Sequence, residues 1–135
     1  MLGMGAEMNL AEKTVLVVDD DLTMREGLAD LLRHQGYRVL TAADGEEGFQ
    51  AVQAQRPDLV VLDVVMPKLD GFRVATMIKG DPTLRHIPVI LYSGHVEESF
   101  AIRAYETQAE YFVPKAGNLR PILKAIRDLL EGPPP

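Results

Sequence analysis

The sequence predicts an α/β fold, a three-layer sandwich of five parallel strands and five helices. Three observations predict it. Apolar, β-branched runs alternate with segments of helical period, the pattern of successive βα units. Three of the runs are continuously apolar, as strands buried on both faces of a parallel sheet must be. The unusual polar residues follow the carboxyl ends of these runs, where open parallel sheets hold their ligands.

The elements follow in order. Val15-Leu16-Val17-Val18 marks strand one, over about 13–18. Asp21 is placed to cap a helix over 22–35, with Met24, Leu28, Leu31 and Leu32 on one face and a stop before Gly36. Strand two, 37–42, is more polar and belongs at a sheet edge. Helix two, 45–55, lies between Asp44 and Pro57. Strand three, 58–62, contains Leu59-Val60-Val61-Leu62 and delivers Asp63. Helix three starts after Asp70-Gly71 and ends near Lys79-Gly80. Strand four, 88–92, delivers Ser93. Helix four, about 96–107, is polar for most of its length and marginal. Strand five, 110–113, ends on Pro114, which is tolerated mainly at edges, and delivers Lys115. Helix five follows Asn118, carries Pro121 in its first turn and stacks Ile122, Ile126 and Leu129.

Composition bounds the rest. The 135 residues suit one domain, expected over 13–131, with a flexible leader at 1–12 and a short tail at 132–135. A net charge of -6 without a Lys/Arg cluster argues against a nucleic-acid partner. The absence of Cys removes disulfides and thiolate metal sites and suits a reducing, cytoplasmic setting. No apolar stretch approaches the ~20 residues of a membrane span, and Met1–Glu12 lacks the pattern of a secretory signal.

The chemistry lies at the strand ends. Burying an unpaired charge costs several kcal/mol, so Asp63 at the end of a buried strand is not a packing residue. Strand one delivers Asp19 and Asp20 to the same edge. Carboxylates brought together repel unless a cation joins them. With oxygen ligands only, that cation is a hard one, Mg²⁺ or Mn²⁺. Ser93 and Lys115 beside it complete a set suited to phosphoryl transfer. Met66-Pro67 stiffens the following turn, which can hold the Val65 carbonyl toward the metal.

These pieces together resemble the response-regulator receiver domain of two-component signalling, the chemotaxis-receiver type, over residues 13–131. The resemblance rests on Leu16 to Asp21, Pro57 to Asp63 with Met66-Pro67 and Asp70-Gly71, Asp81-Pro82 through Ile90, Ser93-Gly94, and Phe112-Val113-Pro114-Lys115. It implies a flavodoxin-like sheet of order 2-1-3-4-5. It also implies Asp63 as phosphoacceptor, Mg²⁺ held by Asp20, Asp63 and the Val65 carbonyl with Asp19 acting largely through water, and Ser93 and Lys115 on the phosphoryl group. Phe112 falls at the family's aromatic switch position, coupled to Ser93; an ordinary core aromatic remains the other reading.

The function so implied is that of a stand-alone receiver, not a turnover enzyme. It would take phosphate from the phosphohistidine of a sensor histidine kinase or a histidine phosphotransfer protein and signal to a downstream protein. A phosphorylation-independent adaptor with the same fold is the alternative. A haloacid-dehalogenase-like phosphatase would need a second Asp where Val65 stands. Two departures are notable. Ala116 replaces the family's proline after the lysine, where a cis bond without proline would cost about 2.5–4 kcal/mol, and Phe112 lacks a tyrosine hydroxyl. Val65 cannot orient an attacking water, so a slow loss of phosphate is expected, with His95 the residue able to offset it. His34, His86 and His95 show no ligand spacing and read as surface residues.

Overall fold

The computed structural model describes residues 13–115 and 117–132. The expected leader at 1–12, Ala116 and Pro133 to Pro135 of the expected tail lie outside the described residues. The elements are β1 (Thr14–Val18), α1 (Leu22–His34), β2 (Arg38–Ala42), α2 (Gly45–Gln55), β3 (Leu59–Asp63), α3 (Gly71–Gly80), β4 (Val89–Ser93), α4 (Glu98–Glu106), β5 (Tyr111–Pro114) and α5 (Arg120–Glu131).

All strand pairs are parallel, and the sheet order is β2-β1-β3-β4-β5. The flavodoxin-like order and the outer positions of strands two and five are therefore as expected. Burial follows from position: β3 and β4 are buried at every residue, whereas β2 and β5 each bury one. Side chains alternate between two apolar layers, as the period-2 pleat requires. Leu16, Val60, Leu62, Val89 and Leu91 face α2, α3 and α4, meeting Val52, Phe72, Ile78 and Ala104. Val15, Val17, Leu59, Val61 and Ile90 face α1 and α5, meeting Leu28, Leu32, Ile122 and Ile126.

The helix starts are built by aspartates. Asp21 accepts hydrogen bonds from the backbone N–H of Thr23 and Met24, Asp44 from Glu47 and Asp70 from Arg73. Each replaces a lost intrahelical bond, worth about 1 kcal/mol. α4 lacks such a side-chain cap, buries only Ala104, and is shorter than its expected 96–107. Tyr37, just before β2, ties to the end of α5 by donating to Glu131 at 2.7 Å.

Three strands, β3, β4 and β5, run one residue further than the sequence pattern places them. Asp63 is paired in register with Tyr92, and Ser93 with Pro114. Both residues thus belong to the ladder itself rather than to loops. That rigidity matters for what they hold.

Candidate functional site

The carboxyl edge of the sheet gathers the expected side chains. Asp19 follows β1, Asp63 closes β3, Ser93 closes β4, and Lys115 follows β5. Lys115 is fixed in place by its backbone N–H, which donates to the Ser93 carbonyl at 2.8 Å. The loop after Asp63 is held equally closely. The Gly71 N–H donates to the Val64 carbonyl at 2.8 Å, and a Cβ at Gly71 would collide with the Asp63 carbonyl. Gly45 is likewise required, because a Cβ there would strike the Leu69 carbonyl of the same loop.

Asp19, Asp63 and Ser93 are buried, while Asp20 is exposed. Carboxylate oxygens of Asp19, Asp20 and Asp63 lie within 4.8 Å of one another. The Lys115 amine reaches between two of them, 3.1 Å from Asp63 Oδ1 and 3.2 Å from Asp19 Oδ2. One ammonium among three carboxylates leaves a surplus of negative charge. Burial, then the charge of Asp19, pushes the Asp63 carboxyl up to about 7 against the pull of Lys115, with Asp20 adding to the rise. Burial pulls the Lys115 amine down, but Asp63 and Asp19 outweigh it and hold it above its ordinary value.

This donor set fits a divalent cation. It offers hard oxygen ligands only, clustered on one edge, and its charge surplus is what a dication would relieve. Asp19, Asp20 and Asp63 are the side chains able to hold it.

The remaining expected residues are placed as follows. Val65 stands two residues beyond Asp63 and is 54% exposed. Ser93 Oγ accepts from the His95 N–H at 2.9 Å, so the loop after β4 is tied to the hydroxyl. Phe112 is half-buried on β5, paired in register with Leu91 and packed against the α2–α4 layer. His34, His86 and His95 are exposed. The His95 ring is engaged elsewhere, 5.2 Å from the Phe100 ring and 3.4 Å from Glu97 Oε1. One residue escaped the sequence reading: Tyr92, whose buried ring lies 5.3 Å from the Lys115 amine. Its neighbour Ser93 marks the strand end, but nothing in the pattern distinguishes Tyr92 from a core residue. Among the described residues no helix is long and apolar enough to cross a membrane.

Comparison with known proteins points the same way. Residues 15–127 match the family model described as the response regulator receiver domain. The chain is similar to the probable transcriptional regulator ycf27 of Cyanophora paradoxa, 38% identical over 123 residues, covering 91% of this chain and 50% of that protein. It spans about half the length of the curated relatives it matches. Among solved structures it is similar to the signal receiver domain of a signal transduction histidine kinase from Syntrophus aciditrophicus, with TM-score 0.83 and 32% identity, covering 89% of this chain and 91% of that one. It is also similar to the Vibrio cholerae chemotaxis protein CheY4, with TM-score 0.81 and 27% identity, covering 87% and 98%.

Proposed function

The chain belongs to the response regulator receiver family, and from that premise we propose that Asp63 is its phosphoacceptor and that phosphorylation switches a protein-binding surface. The observation that carries the reading is the position of Asp63, buried at a strand end with Lys115 3.1 Å away and two further carboxylates within 4.8 Å.

The donor is a phosphohistidine of a sensor histidine kinase or histidine phosphotransfer protein. An Asp63 carboxylate oxygen attacks phosphorus as the P–N bond breaks. The electron pair stays on the ring nitrogen, which leaves as imidazole after taking up a proton. The product is an acyl phosphate. Lys115 meets the phosphoryl oxygens with positive charge, which stabilises the transition state because the charge is positioned before the reaction begins. The Ser93 hydroxyl, now an acceptor from His95, turns to donate to the phosphoryl group, and so draws on the loop after β4. Phe112 follows that movement. Asp20, Asp63 and the Val65 carbonyl, with Asp19 largely through water, would hold Mg²⁺, or Mn²⁺, which when bound would supply charge neutralisation for the transferring group.

The phosphate is lost to water on the same residue, so the protein acts on itself rather than turning over a substrate. Output of this domain through protein contact is part of the proposal. Its support is the chain's net charge of -6, which disfavours direct contact with nucleic acid. The test is incubation with acetyl phosphate and Mg²⁺ followed by mass spectrometry. One added phosphate is expected on the wild type and none on Asp63→Ala; equal labelling of the two refutes the assignment.

A further inference from the structure

We propose that the groove between α3 and α4 is a docking surface for an acidic segment of a partner protein that also carries an apolar side chain. The groove has a volume of roughly 340 Å³ and lies between Phe72, Arg73 and Met77 of α3 and Arg103 and Glu106 of α4. Its floor is mainly apolar, with Thr76 and Thr107 set into it, and Met77 is 37% exposed there. The Arg103 guanidinium stacks on Phe72, 4.3 Å from the ring centroid. Stacking holds the face of the guanidinium and leaves its edge, with the fork of N–H donors, for a carboxylate.

Charge selects the occupant. The chain has 20 acidic against 14 basic side chains, yet this groove presents two arginines and one glutamate. Among the described residues neither Arg73 nor Arg103 has a carboxylate within ion-pair distance. Arg73 also stands in the first turn of α3, where the helix dipole disfavours a cation. Two unpaired arginines beside an open apolar floor complement acidic residues flanking a Phe, Leu or Met. A basic or neutral segment would leave them unanswered. The proposal stands whether or not Asp63 is the phosphoacceptor.

The test is selection of short random peptides from a display library on the full chain, followed by synthesis of the most enriched peptide. Enrichment of Asp or Glu next to Phe, Leu or Met is expected. The synthetic peptide should shift the amide signals of residues 72–77 and 103–107. Arg103→Glu and Arg73→Glu should each weaken it about tenfold or more, with Arg103→Lys between wild type and Arg103→Glu. Acetyl phosphate labelling should be unchanged in all three, because neither side chain reaches Asp63; melting temperature should be unchanged in Arg73→Glu and lowered only slightly in the Arg103 variants, which give up the stack on Phe72. Basic or uncharged winners, or binding indifferent to Arg103→Glu, overturn the proposal. So does a dimer of the chain that Arg103→Glu dissolves, since the groove's occupant would then be a second copy.

Discussion

Two lysines meet carboxylates at opposite edges of the same sheet, and their surroundings could hardly differ more. At the amino edge Lys79, with its side chain 7% exposed, donates to the carbonyls of Arg85 and Ile87 and to Glu110, at 3.0, 2.8 and 2.9 Å. All three ammonium protons are used. Glu110 is answered in turn, accepting from the Val89 N–H at 2.8 Å. At the carboxyl edge Lys115 faces two buried carboxylates with a third close by, and Asp63 is pushed up to about 7, first by burial. The first cluster is balanced and ties α3, the loop before β4 and the start of β5 together. The second is unbalanced in a direction that only a cation or a change in Asp63 relieves. The same residue types thus make a clamp in one place and a charge-crowded pocket suited to a cation in the other, and charge balance is what separates them.

Removing the balanced lysine should have the largest effect on stability. Lys79→Met leaves Glu110 without its partner and orphans two carbonyls. Breaking a buried pair from one side costs about 3–5 kcal/mol; the lower end is expected here because Glu110 keeps 35% of its side-chain surface exposed. Urea denaturation measures this, and acetyl phosphate labelling of the folded fraction should be unchanged. A loss under about 1 kcal/mol would place Lys79 among ordinary surface ion pairs and end the contrast.

The unbalanced cluster should respond with the opposite sign. Asp63→Asn removes one charge from the crowd and is expected to stabilise the metal-free protein at pH 8 by about 1–2 kcal/mol. The sign follows from linkage. The Asp63 carboxyl is raised in the folded state from 3.8 to about 7, so this group's contribution is most favourable below pH 4 and is lost as pH rises through 7. The gap in melting temperature between variant and wild type should therefore open between pH 4 and 8 and close in acid. Added Mg²⁺ should narrow it at pH 8 by stabilising the wild type more. A variant less stable than wild type at pH 8 would mean that Lys115 already balances the site.

These two clusters also differ in how far they were legible beforehand. The site was readable because each member follows an apolar run: Val18 leads into Asp19, Leu62 into Asp63 and Tyr92 into Ser93. Parallel topology then brings run ends together at one edge. The clamp was not readable. Lys79 looks like a helix C-terminal lysine and Glu110 like the first residue of an edge strand, and their meeting across 31 residues depends on the packing of the 81–88 loop. Strand ends were misplaced by one residue at Asp63 and Ser93 because polarity suggested a loop, whereas register with Tyr92 and Pro114 extends the ladder. The need for Gly45 and Gly71 was equally hidden, since it arises from a backbone approach between distant elements.

The smallest effect sharpens the contrast at the site itself. An acyl phosphate on Asp63 is lost when water attacks in line, and a side chain that orients that water speeds the loss. Val65, two residues after Asp63, is exposed and its side chain has no polar atom to offer. His95, the other residue able to help, has its ring engaged with Phe100 and Glu97. Val65→Asn should therefore shorten the phosphate lifetime by roughly tenfold, below the range of full general base catalysis because an amide positions water without taking its proton. Decay of labelled protein after removal of acetyl phosphate measures it. If His95 leaves Phe100 once Asp63 carries phosphate, it already serves the water, and the two proteins would decay alike. His95→Ala in the Val65 background would then slow the decay, locating the water-orienting group on the loop after β4 rather than on the loop after β3.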